Sequence, residues 1–417
     1  MRAALQPLPN PIKILRSQRG VALLLAIVAT VLIGFIITEI SYETSVDYVV
    51  SNQQVQRIQA YYAAKAGLEL SLLRIKLYKQ AMASFGDTLG PNKSMLDPIW
   101  KFPFTWPPVV GEDVTGVDQN MIQSTVAESF MKAQYATTIT PEGSKLDIND
   151  MGSDVKTLKA ATIRQVLQIF LTEIENNDEF RQKHGTVKFE ELVNNIADYI
   201  DEDKESLNGS DESQPYRDFN EEGLTMPPNR ALRTIDELHQ VGGMKDEFFN
   251  LLAPRITVYG TKGINVNYTN ADMLKALDIT VTDDVIAKIM ERRDNANLGG
   301  PFKDESDFFG FVGGLGVNTK VIQESGVPLL FDMEFNYRVT STGLAGNVKR
   351  EITAVVYDFP NLAQRLAEMK DKQDSQDQGP GVGVGTTSPA AGQNPSEQKA
   401  KIQTAKGRPS VVYWEEN

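Results

Sequence analysis

The chain has 417 residues, of which 41% are hydrophobic, so it is long enough for two or three domains with real cores and is not a wholly disordered polymer. Lys and Arg number 42 against 55 Asp and Glu, a net charge of −13 that disfavours a general grip on nucleic-acid phosphates. Cysteine is absent and histidine occurs only at His184 and His239, which excludes disulfides, thiolate metal sites and a Cys nucleophile and leaves few actors for histidine catalysis or zinc.

Residues 1–38 contain Arg2, Lys13, Arg16 and Arg19 and no acid, and 21–38 carry no charge at all. A helix over 21–38 rises about 27 Å, close to the hydrocarbon thickness of a bilayer. The preceding cations favour a cytoplasmic N-terminus, with the rest of the chain outside the cytoplasm. The segment after the apolar run, TEISYETS, lacks a small-residue signal-cleavage pattern. No proline occurs between Pro11 and Pro91, and apolar residues continue through Ile58, Tyr61, Ala64, Leu68, Leu72 and Ile75. That spacing predicts one helix over 21–83, roughly 90 Å long, apolar all round at first and then amphipathic. A membrane anchor followed by a separate juxtamembrane helix satisfies the same pattern.

A basic leader ending at Gly20, an apolar run from Val21 and an amphipathic extension resemble type IV prepilins and pseudopilins. The resemblance implies cutting by prepilin peptidase between Gly20 and Val21, which removes the four leader cations. Most members carry Glu at the fifth mature position, and this chain has Leu25 there. In such helical fibres that Glu is thought to pair with a neighbouring subunit's N-terminal ammonium, because an uncompensated carboxylate among apolar helices is costly. A subunit lacking it suits the tip, where no further subunit sits above.

Pro98, Pro103, Pro107 and Pro108 predict an ordered loop over 96–116. Residues 133–149 alternate and turn at Pro141 to Gly143, which predicts a hairpin. Two more strand-like runs, 333–341 and 348–358, flank the turn GLAGN. Between them, 150–325 reads as helical, so the pattern predicts an α+β fold: an antiparallel sheet interrupted by an inserted α domain. The expected divisions are a leader (1–20), the long helix (21–83), a first α/β part (84–149), the insert (150–325) and closing strands (326–359). Composition then predicts a flexible tail over 360–417, with a frayed helix at 361–372 and an end, SVVYWEEN, that is either sticky or disordered.

Chemistry concentrates in 192–216, where Asp198, Asp201, Asp203, Glu205, Asp211 and Glu212 repel one another unless a cation is present. Asp201, Asp203, Glu205 and Glu212 occupy positions 1, 3, 5 and 12 of a calcium loop, but Ser206 stands where an EF-hand needs Gly. A solvated acidic loop is the alternative. Residues 263–302, opening INVNYTN, resemble a helix-hairpin-helix or SAM-like unit. Its hairpin LDITV lacks glycine, and Asp278, Asp283 and Asp284 oppose phosphate, so the unit reads as packing, with Asn265 and Asn267 as turn and cap residues. The pattern D-x-[LF]-x-x-V-G-G occurs at 236–243 and again at 307–314, an echo that predicts two related helical subdomains.

Together the leader without its Glu, D-Y-I-D-x-D followed by G-S-D-E and Tyr216, the RTIDELHQV helix, INVNYTNADML and the closing strands resemble the GspK family, the large minor pseudopilins of type II secretion systems, over about residues 15–358. The resemblance implies a pseudopilin fold with an inserted α domain and a calcium-binding acidic segment. Asp201 and Asp203 match best as ligands, Asp211 and Glu212 compete for one position, Glu205 is a weaker match and Asp198 a structural one. It further implies a non-enzymatic, single-pass inner-membrane protein with a periplasmic domain. Such a subunit initiates or caps a pseudopilus together with the minor pseudopilins GspI and GspJ, above the major pseudopilin. A minor pilin of a type IV pilus and a membrane-anchored periplasmic hydrolase are the alternatives, though the sequence has no G-x-S-x-G and no Gly-rich phosphate loop. Tyr199, where Trp is common, and the long tail depart from the family pattern.

Overall fold

The computed structural model describes residues 18–109, 116–129, 131–209, 211–217, 226–377 and 407–417. Helix α1 (Gln18–Leu89) is unbroken, so the single long helix prevails over an anchor plus a separate helix and extends a few residues beyond 21–83 at each end. With no proline inside it, nothing stops it before Gly90, whose φ of +53, followed by Pro91, turns the chain into a short 3-10 segment.

In chain order there follow α2 (Pro98–Lys101), β1 (Phe104–Trp106), α3 (Gly116–Glu128), β2 (Gln134–Pro141) and β3 (Leu146–Asp147). Next come α4 (Lys156–Asn176), α5 (Asp178–His184), α6 (Phe189–Ile200), α7 (Asp246–Leu252), β4 (Ile256–Thr257) and β5 (Ile264–Asn265). The chain continues through α8 (Ala271–Lys275), α9 (Asp283–Asp294), α10 (Glu305–Gly314), α11 (Thr319–Ser325), β6 (Leu329–Leu330), β7 (Tyr337–Ala345), β8 (Val348–Val356), α12 (Phe359–Asp377) and β9 (Val411–Glu416). The main sheet has the order β1-β2-β7-β8-β9 with every neighbouring pair antiparallel. The helical insert therefore enters after β2 and leaves before β7.

The sheet packs on the second half of α1. Ala60, Ala64, Leu68, Leu72, Ile75, Tyr78 and Met82 are buried at the three- and four-residue spacing of one helical face. Ile58, included in that stripe by spacing, is exposed because it lies about 200° round the helix from Ala60. The seam is made of small residues. A Cβ on Gly343 would fall on the Ala60 carbonyl oxygen and crowd the Ala64 nitrogen, while Ser341 Oγ donates to the Ala64 carbonyl at 2.6 Å.

The hairpin expected over 133–149 is not formed. β2 runs into Pro141 opposite Tyr337, pairing with β7 along its whole length, and Leu146–Asp147 instead pairs in parallel with Ile256–Thr257 of the insert. Glu142 at the supposed turn has its N–H on the Asn336 carbonyl (2.8 Å) and its buried carboxylate on Arg338 (2.7 and 3.0 Å) and Thr257 (2.6 Å), so the chain passes into the insert without reversing. The β7–β8 hairpin does form, around Gly346–Asn347 with Gly346 at φ +56, the left-handed backbone that tight two-residue turns demand.

The end of the chain also departs from expectation. In place of a flexible tail, the described parts of 360–417 contain α12 and the sheet strand β9; residues 378–406 lie outside the described residues. α12 buries Asn361 and Leu362, and Arg365 reaches the Thr261 carbonyl (2.7 Å) and Asp332 (2.6 Å). Composition undervalued a few anchoring side chains and a sheet edge that needed a partner.

Two cores result. One lies between α1 and the sheet; the other fills the insert, with Phe170 stacked on Phe189 at 4.6 Å and Phe248 edge-on to both. They are tied where Tyr78 of α1 and Tyr268 of the insert both donate to Asp97 Oδ1, at 3.1 and 3.0 Å. At the strand re-entering the sheet, Glu334 is wholly buried: one carboxyl oxygen accepts from the Phe335 and Asn336 N–H groups and the other has no partner. Burial raises this carboxyl from 4.5 to about 7. Its folded-state affinity for a proton exceeds that of the unfolded chain, so its contribution to stability is complete below the ordinary carboxyl range and is lost as pH rises towards 7. We expect Glu334→Gln to flatten the fall in melting midpoint between about pH 5 and 8; wild-type and variant curves that stay parallel would refute this.

Candidate metal centre

The acidic segment is built on the end of α6, which buries Phe189, Leu192, Val193, Ile196, Ala197 and Ile200. Its last turn supplies Asp198, and Asp201 caps it with an N–H on the Ala197 carbonyl at 2.9 Å. Carboxylates at a helix C-terminus face the negative end of the macrodipole, which is unfavourable without a cation. Beyond them the chain doubles back. Glu205 and Asp211 form an antiparallel bridge, Gly209 turns at φ +73, and Asn208 fastens the loop to α6 through the Asn195 side chain (2.9 Å) and the Glu191 carbonyl (3.2 Å).

This return sets Glu212 against the helix end. Carboxylate oxygens of Asp201, Asp203 and Glu212 lie within 4.8 Å of one another, with Asp201 and Glu212 buried and Asp203 exposed. Asp201 Oδ2 meets Lys159 Nζ of α4 at 2.9 Å, and Glu212 Oε2 accepts from Asn229 Nδ2 at 2.9 Å. The remaining oxygens, Asp201 Oδ1 and Glu212 Oε1, are buried without a donor, as is Asn229 Oδ1. Burial pushes the Asp201 carboxyl up, with Lys159 opposing and Asp203 and Asp198 adding to the rise. Glu212 is likewise raised by burial, against the Asn229 hydrogen bond. Buried acceptors normally find donors, so three orphaned oxygens in one place fit a hard cation such as calcium and do not suit a soft metal.

The other predicted ligands point elsewhere. Glu205 is exposed, and its part in the loop is a backbone N–H on Asp203 Oδ1 at 2.9 Å. Asp211 is exposed and accepts from the Ser213 N–H at 3.0 Å, which holds its carboxyl below the ordinary range. Asp198 closes the loop by accepting from Ser206 Oγ (2.7 Å) and the Leu207 N–H (3.0 Å). Ser206, which spoiled the EF-hand pattern, is thus the residue that fixes Asp198. Asn229, which also donates to the Asp203 carbonyl, was missed in the sequence because a count of carboxylates passes over a neutral amide. Its only signal was the PPN turn and the tolerance of Asn for the left-handed backbone it adopts, φ +47.

The N-terminal candidates are far from this centre. Gly20, Val21 and Leu25 lie in the first turns of α1, where a Cβ on Gly20 would meet nothing and both apolar side chains are exposed. Among the described residues, α1 contains the one stretch long and apolar enough to cross a membrane, with a mean hydropathy of 2.9 and none of it buried.

Residues 144–261, which hold the whole acidic segment, match the family described as type II secretion system (T2SS), protein K. A chain in the crystal structure of the GspK-GspI-GspJ complex from the enterotoxigenic Escherichia coli Type 2 Secretion System is similar at 15% identity and a TM-score of 0.42, over 55% of this chain and 77% of that one. No curated protein matches the chain.

Proposed function

We propose that this chain is a protein K-type minor pseudopilin of a type II secretion system that crowns the pseudopilus together with GspI and GspJ, starting or capping assembly above the major pseudopilin. The observation that carries the reading is the shape: a 72-residue helix, bare through its apolar first part, bearing at its far end a sheet and an insert with a second core. A head of that breadth crowds any attempt to repeat it along a helical shaft, so the subunit terminates the fibre. Leu25 fits a position with nothing above it to supply an ammonium partner.

In this reading prepilin peptidase cuts between Gly20 and Val21, and residues 21–38 dwell in the inner membrane with the head in the periplasm. Calcium, held by Asp201, Asp203, Glu212 and the Asn229 side-chain oxygen Oδ1, neutralises the end of α6 and fixes the acidic loop. Sequencing the chain recovered from membranes is expected to start at Val21, and it is expected to co-purify with GspI- and GspJ-type pseudopilins in single copy. An N-terminus at Met1, or many copies spaced along the fibre, would overturn the proposal.

A further inference from the structure

We propose that the outer edge of β8 is a strand-acceptor site for which the chain's own C-terminal segment, Arg408–Asn417, is a tethered and exchangeable ligand, so that the same strand from a second copy of this chain enters the same place. β8 ends at Val356 and the Tyr357 N–H is bonded to the Ser410 carbonyl at 2.9 Å, so β9 begins where β8 stops. Between the two in sequence come α12 and residues 378–406. No turn joins the strands. β9 is held by its pairing and a few side chains, which is how a separate peptide is held when it adds to a sheet.

The acceptor is well defined. Glu351 and Asn417 exchange both backbone hydrogen bonds (2.8 and 2.9 Å), which makes Thr353–Glu415 the next hydrogen-bonded pair and Ala354–Trp414 a close non-bonded one. Ile352, Ala354, Val355 and Val356 are completely buried in the paired state, so an empty edge exposes apolar surface as well as unpaired amides. The ligand's recognition groups are also defined. Tyr413 lies 6.1 Å from Tyr259 and beneath the Arg338 guanidinium, Glu416 accepts from Tyr61 of α1 at 3.3 Å, and Arg408 pairs with Glu69 of α1 at 2.8 Å.

Two features favour exchange. Val412 and Trp414 remain 38% exposed, so the strand is not sealed into the core. A register shift at Val355/Val356 interrupts the ladder near the first residue of β9. Being part of the same chain, the resident strand reaches the site by an intramolecular closure, so it holds the site at ordinary concentrations and a second copy enters when copies are crowded together.

The absence of cysteine allows a direct test in the detergent-solubilised full chain. A Thr353→Cys/Glu415→Cys double variant is expected to form an intramolecular disulfide, since such a pair has Cα atoms about 5.5 Å apart. Mixing the two single variants at high concentration is expected to give a disulfide heterodimer that excess synthetic peptide Arg408–Asn417 suppresses. The same peptide, labelled, is expected to bind a Glu415→Pro chain at least about tenfold more tightly than the wild type, because proline removes a ladder N–H from the resident strand and leaves β8 intact. A double variant that closes in cis while the mixture gives no heterodimer and the peptide binds neither chain would overturn the proposal. So would a heterodimer that excess peptide leaves undiminished.

Discussion

Removing calcium is expected to lower the melting midpoint of the helical insert by about 5–10 °C. A ligand at a hundred times its dissociation constant stabilises the folded state by about 2.7 kcal/mol, and a domain of roughly 190 residues shifts by about 2–4 °C per kcal/mol. The effect is expected to be large because the cation would supply partners for Asp201 Oδ1, Glu212 Oε1 and Asn229 Oδ1 at once. Asp201→Asn combined with Glu212→Gln separates this from a merely acidic surface. Those amides relieve the repulsion at the end of α6 but give up the Asp201–Lys159 ion pair, so the variant should melt near the chelated wild type while losing its response to added calcium. Asn229→Ala should weaken calcium binding without changing charge. Equal midpoints with calcium and with chelator would remove the metal from the account of this loop.

Gly343→Val is expected to detach α1 from the sheet and to cost about 3 kcal/mol or more, at or beyond the upper end of overpacking penalties. The new Cβ would collide with the Ala60 carbonyl and the Ala64 nitrogen, both backbone atoms in the middle of a helix that cannot yield locally. The helix would have to lift and unseal Leu68, Leu72 and Ile75. Gly67→Ala, on the same seam, meets the side chains of Ser341, Thr137 and Tyr135, which can rotate, so about 1–2 kcal/mol is expected. Gly34→Ala meets nothing and should be neutral in the solubilised protein. Thermal melting of the three variants gives the order directly; a Gly343→Val midpoint equal to that of Gly34→Ala would mean that helix and sheet do not meet as closely as described.

The parts of the fold that local chemistry dictates were legible in the sequence. The proline-free run specified α1, the glycine-bearing turn specified the β7–β8 hairpin, and the helical periods of 150–325 marked the insert. What escaped was choice of partner. Alternation identified β2 as a strand but could not say that Tyr337, far along the chain, would lie opposite Pro141, because register is a property of the assembled sheet. Val411–Glu416 had the aromatic and β-branched residues of a strand, yet its segment looked disordered while the edge that receives it was unknown. At the acidic loop, spacing picked out Asp201, Asp203 and Glu212, whereas the outward orientation of Glu205 and Asp211 and the inward reach of Asn229 depend on how the loop closes over α6.

The unbroken course of α1 has a mechanical consequence. One end is bare and greasy, and the other is gripped by the sheet and by the Tyr78–Asp97–Tyr268 clasp. With no proline or break in between, the helix carries no built-in hinge, so a displacement of the greasy end is passed along it to the head.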